Sequence, residues 1–135
     1  MAHTKFPARI LTPDGEVFNG EVEMVSTRTT VGLIGVMANH APLLATLEPT
    51  ELRLHKDEGQ ISRYAQSEGY LQVGGNQALL LVEEATPVEQ LDTESLRERL
   101  QKAEADISAA GDNAELRKAA QRDKKRFELF LSLAK

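Results

Sequence analysis

At TPVEQ, residues 86–90, the apolar pattern of this chain changes period. Before it, apolar residues alternate or fall in short runs divided by turn signals. After it, they recur at spacings of four and three. A chain that switches once from period two to period 3.6 builds strands first and helices second. The pattern predicts an N-terminal antiparallel β-sandwich (1–87) followed by a C-terminal antiparallel two-helix hairpin (88–135).

In the first segment KFPARIL runs to TPDG, EVF runs to NG, and EVEMVST follows with Val22, Met24 and Val25 apolar. ELRLH and QISRYAQ flank KDEG, whose glycine suits a positive φ. YLQV and QALLLVEEA flank GGN, a second hairpin signal. Strands so spaced, with no helical period between them, argue for a sandwich or barrel.

In the second segment Leu96, Leu100, Ala103, Ile107 and Ala110 form one stripe. Asp92 suits the N-cap, with Leu91 and Leu96 at staple spacing. Gly111 ends this helix, and DNAE restarts one, with Asp112 as cap and Glu115 completing a capping box. Leu116, Ala120, Phe127, Phe130 and Ala134 then line up, interrupted by Asp123. Both stripes are narrow and rich in alanine. Such a seam buries little area and stabilises the pair weakly.

Composition narrows the functional classes. The 135 residues contain no cysteine, which excludes disulfides, thiolate metal sites and a cysteine nucleophile. The N-terminal MAHTKFPARILTPDG lacks a signal-peptide apolar run, and a cytosolic protein is the expectation. From Thr29 to Leu47 no residue is charged, yet Gly32, Gly35, Asn39, His40 and Pro42 break the run, so it is not read as a membrane helix. His3, His40 and His55 show no metal-ligand spacing, and no nucleophile elbow or phosphate loop occurs. His40 is read as a turn residue bonded to backbone or to a partner. An enzyme is not expected.

The formal net charge is −5, all of it from the residues up to Ala85. Within the balanced second segment, Arg117, Lys118, Arg122, Lys124, Lys125 and Arg126 oppose Asp123 alone. On a helical wheel Lys118, Arg122, Lys125 and Arg126 fall opposite the apolar stripe. A solvated face and an acidic protein partner are both consistent with this run; nucleic acid is not, because no aromatics interleave and the chain is acidic. The end, FELFLSLAK, is apolar on several sides and must be covered.

Together these features resemble the epsilon subunits of F-type ATP synthases over nearly the whole chain. GLIGVMANHAPLLATL, from Gly32 to Leu47, is similar to the family's glycine and His-Ala-Pro segment. SEGYLQVGGNQALLLVEEA is similar to its late hairpin, and LDTESLRERLQKAEADI to the start of its helices. The resemblance implies a non-catalytic rotor subunit of the central stalk that couples proton flow to ATP synthesis. Its partners would be the gamma subunit, the c-subunit rotor ring and, when the hairpin extends, the alpha and beta subunits of the catalytic head. It places the protein peripherally on the cytoplasmic face of a bacterial inner membrane.

Residue by residue, the resemblance maps the ring contact to Arg28, Thr29, Thr30, Val31 and Leu33. The acid common in that loop is missing, so the contact is read as more apolar. It maps the gamma contact to His40, Ala41 and Pro42, and an inhibitory helix to Arg117, Lys118, Arg122, Lys124, Lys125 and Arg126. A nucleotide motif of many bacterial members falls on Leu91 to Leu96, with Asp92 kept and Ser95 in place of the phosphate-binding arginine. Arg97 and Arg99 lie nearby but point elsewhere on a helix. No cofactor is expected, and regulatory ATP binding is not counted among the chain's properties. The alternative from another class is a free-standing helical-hairpin adaptor of a transcription or chaperone machine.

Overall fold

The computed structural model describes residues 3–134, the side chain of Glu58 excepted. The chain divides into two compact units, Met1–Pro87 and Val88–Lys135.

The first unit has ten strands: β1 (Phe6–Thr12), β2 (Gly15–Val22), β3 (Met24–Thr29), β4 (Gly32–Met37), β5 (Leu43–Leu47), β6 (Thr50–His55), β7 (Ile61–Gln66), β8 (Gly69–Gly74), β9 (Gln77–Val82) and β10 (Ala85–Pro87). They pair as two layers, β4-β3-β6-β7-β10 and β5-β8-β9-β1-β2, joined where Thr29 of β3 pairs with Leu47 of β5. Every pairing is antiparallel except one. β1 runs parallel to β9. No short turn fixes their relative direction, because seven strands lie between them to serve as the crossover.

Alternation sends Phe6, Ala8 and Ile10 of β1 inward, and Val22, Val25, Val36, Leu47, Leu52, Leu54, Leu71, Leu80 and Val82 meet them. The core is almost wholly aliphatic, as the scarcity of aromatics requires. Every residue of this cluster belongs to the first unit.

Three local expectations are corrected. Asn19-Gly20 is not a turn but lies inside β2, paired with Arg9 and Ala8. The hairpin turn is TPDG, and an extra residue in β2, Val17, opposite the Ile10/Leu11 step shifts the register beyond it. EVEMVST is not one strand: β2 ends at Val22, and β3 begins at Met24 in the other layer. The strand in QALLLVEEA stops at Val82. There the Glu84 N–H donates to Ser67 Oγ at 2.7 Å, and Ser67 N–H to Glu84 O at 2.9 Å. These bonds form a corner that leads into β10.

The hairpin signals at KDEG and GGN are present as turns. Gly59 has φ +79°, and Gly75 and Asn76 have φ 58° and 59°, the two successive positive values of a type I′ turn. Gly69 is required for another reason. A Cβ there would sit 2.1 Å from the Leu81 carbonyl oxygen, so β8 approaches β9 only with glycine at that position.

In the second unit a 3₁₀ turn over Val88–Gln90 precedes α1 (Thr93–Ala110) and α2 (Ala114–Leu133). Asp92 caps α1, accepting from Glu94 N–H at 3.1 Å and Ser95 N–H at 3.2 Å. Gly111, at φ 53°, ends it. The cap of α2 is Asn113, which accepts from Leu116 N–H at 3.1 Å, not Asp112. The helix starts one residue later than the capping-box reading has it, and Glu115 no longer occupies the third helical position. The buried side chains of the two helices are Leu96, Ala103, Ala110, Ala120, Phe127 and Phe130. Large groups sit toward the chain ends and alanines toward the connection. Leu116 leaves the stripe and is 59% exposed, because Ala109 and Ala110 beside it are too short to cover it.

Candidate functional site

The turn between β3 and β4 holds the first set of candidate residues. Thr29 is buried, and its hydroxyl donates to Gly32 O at 3.0 Å while accepting from Val31 N–H at 3.2 Å. Thr30 N–H donates to Thr46 O and Glu48 N–H to Arg28 O, each at 3.0 Å. A hydroxyl-closed turn with Gly32 at φ 132° thus fixes a short loop. The side chains of Val31 and Leu33 project from it, 95% and 71% exposed. Exposed Arg28 pairs across the strands with Leu33, and the turn carries no acid. The structure therefore brings Arg28, Thr29, Thr30, Val31 and Leu33 together as one projecting apolar tip with a cationic flank.

The second set, His40, Ala41 and Pro42, lies between β4 and β5. His40 N–H donates to Met37 O at 3.2 Å, and its Nδ1 lies 2.7 Å from Ala41 O. This is the backbone-bonded turn histidine of the sequence reading. Ala41 and Pro42 are exposed beside it.

Single-residue motifs missed the surface next to this loop. On the outer side of the β5-β8-β9-β1 layer, cross-strand rows join Leu44 to Gln72 and Leu79, and Thr46 to Tyr70, Leu81 and Leu11. Leu44 is 74% exposed, and Tyr70 and Leu81 are exposed too. The signal was present in LLAT, GYLQV and ALLLV, whose runs leave apolar residues at outward positions as well as inward ones.

The basic residues of α2 divide into two groups. Lys118, Arg122 and Lys125 line an exposed face with Leu116 and Gln121. Arg117 and Lys124 are half-buried. Arg126 does not lie opposite the apolar stripe. Its side chain is 13% exposed, with Nη1 3.7 Å from Asp123 Oδ1 and the guanidinium 5.7 Å from the Phe127 ring centre. It directly precedes Phe127, and its apolar stem packs along that flank while the charge reaches Asp123.

The residues mapped to a nucleotide do not converge. Asp92 is engaged at the helix cap, Arg99 stacks on Phe127 at 4.3 Å from the ring centre, and Arg97 is exposed. Among the described residues no cluster of acids and histidines could hold a metal, and no helix is long and apolar enough to cross a membrane.

Residues 5–88 match the beta-sandwich domain of the ATP synthase delta/epsilon chain. This chain belongs to the ATP synthase epsilon family. It is 35% identical over 130 residues to the ATP synthase epsilon chain of Persephonella marina, covering 96% of both chains. With the epsilon chain of Bacillus velezensis it shares 36% over 110 residues, covering 82% of this chain and 83% of that one. The fold is similar to a chain in a cryo-EM structure of the Euglena gracilis mitochondrial ATP synthase, OSCP/F1/c-ring. The TM-score is 0.77 at 22% identity, covering 98% of this chain and 83% of that one. As an epsilon-family chain it is a non-catalytic central-stalk subunit of F-type ATP synthase, and the free-standing adaptor falls away.

Proposed function

We propose that the sandwich mounts this subunit on gamma and on the c ring, and that the hairpin is a movable inhibitor of ATP hydrolysis. The tip of Val31 and Leu33 is the ring contact, its apolar character suited to small loops at the rim of a membrane rotor. The loop His40-Ala41-Pro42 and the adjoining Leu44, Tyr70 and Leu81 meet gamma. The assembly holds the subunit peripherally at the cytoplasmic face of a bacterial inner membrane.

The observation that supports a movable hairpin is its seam. Half of its buried side chains are alanine, whereas the sandwich has a complete aliphatic core of its own. A hairpin so lightly tied can exchange one packing for another of similar free energy. Extended along gamma, it would bring Lys118, Arg122 and Lys125 to acidic surfaces of the alpha and beta subunits. Nucleotide is not part of this proposal, since Asp92 and Arg99 are engaged elsewhere; heat evolved on titrating ATP into the isolated protein would contradict that.

Because the chain has no cysteine, one introduced at Lys125 has no background. In the assembled complex, Lys125→Cys should form a disulfide with a cysteine on an acidic surface of an alpha or beta subunit when hydrolysis is inhibited. Failure to cross-link to either subunit would overturn the extended state.

A further inference from the structure

We propose that Asn76 is a positioning residue that holds the loop Asn39–Pro42 in its docking shape, an inference that rests on reading this loop as a gamma contact. Asn39 and Asn76 are the non-glycine residues with positive φ among the described residues, at 65° and 59°. Left-handed backbone is unfavourable for a residue with a Cβ, and asparagine tolerates it best. The two residues sit in different turns, and the Asn76 Oδ1 accepts the Asn39 N–H at 2.8 Å. The bonds of His40, to Met37 O and Ala41 O, stay within its loop and the preceding strand. Asn76 ties that loop to another hairpin.

The two turns differ in rigidity. The β8–β9 turn is a tight type I′ turn between strands paired from Gly69–Val82 to Gly74–Gln77, so Asn76 is carried on a fixed frame. The β4–β5 connection spans five residues between Met37 and Leu43, and Asn39, Ala41 and Pro42 are exposed. Ala38 packs against the core and His40 is half-buried, but the exposed Asn39, Ala41 and Pro42 gain little from burial. A single bond from a rigid neighbour lowers the ordering cost that would otherwise be paid on binding. The bond lies at the surface, so its loss should weaken docking more than folding.

Two substitutions separate the side chain from the backbone it sits on. Asn76→Gly keeps the positive φ and removes the acceptor; Asn76→Asp keeps an acceptor oxygen. Each full-length variant is titrated onto F1 particles depleted of this subunit, with Ala41→Glu as the probe of the loop itself. Asn76→Gly should bind about 3- to 10-fold more weakly, the size of one hydrogen bond. It should also speed hydrogen exchange at the Asn39 amide and leave the melting temperature near the parent value. Asn76→Asp should match the parent in binding and exchange. Parental affinity in Asn76→Gly while Ala41→Glu weakens binding would overturn the positioning role and leave the docking loop standing. Equal weakening by Asn76→Gly and Asn76→Asp would overturn it too. Parental affinity in Ala41→Glu would overturn the docking reading and the inference together.

Discussion

Gln66 is fully buried, and its amide completes a polar network inside an aliphatic core. Its Oε1 accepts from the Thr27 hydroxyl at 2.5 Å, and its Nε2 donates to Glu48 O and Ser67 O at 3.0 Å each. Replacing it with leucine would strand those partners without water. We predict that Gln66→Leu lowers stability by about 3 kcal/mol, read from the urea midpoint at unchanged slope. Gly69→Ala should lower the same midpoint, because its methyl meets the Leu81 carbonyl rather than a side chain that can turn away. Neither role was legible in the sequence, where Gln66 is a polar end to a strand and Gly69 one turn glycine among several. Their importance comes from residues distant in the chain. The Asp92 cap was legible because a cap bonds its own next two or three residues.

At the scale of elements, strands and helices were legible where one signal acted alone. Two failures arose where neighbouring signals competed. Asn19-Gly20 reads as a turn by composition, but TPDG already closes the hairpin, and pairing with Arg9 and Ala8 holds the dipeptide extended. Asp112 and Asn113 both suit an N-cap, and the one nearer the helix takes the bond. Asn113→Ala should therefore cost about 1 kcal/mol in thermal denaturation, while Asp112→Ala costs only a few tenths. At the β3–β4 tip the bonds of Thr29 shape the turn and Val31 adds nothing to the core. Val31→Lys should leave the urea midpoint nearly unchanged and reduce ATP-driven proton pumping relative to hydrolysis in inverted membranes. Unchanged coupling would remove Val31 from the ring contact.

For the whole molecule, the change of period near Pro87 and the family segment from Gly32 to Leu47 made the two-part plan readable from sequence. The outer apolar rows around Leu44, Tyr70 and Leu81 became visible only once register was known, since a one-residue slip would bury them. The sandwich contains its own core, so a chain ended after Val88 should still fold and bind the complex. That truncation is the most direct test of the claim that one unit mounts and the other inhibits. ATP hydrolysis is measured in F1 particles depleted of this subunit and then saturated with either form. The full chain should suppress hydrolysis, and the truncated chain should bind equally well without suppressing it. Equal hydrolysis rates with both forms bound would contradict the account.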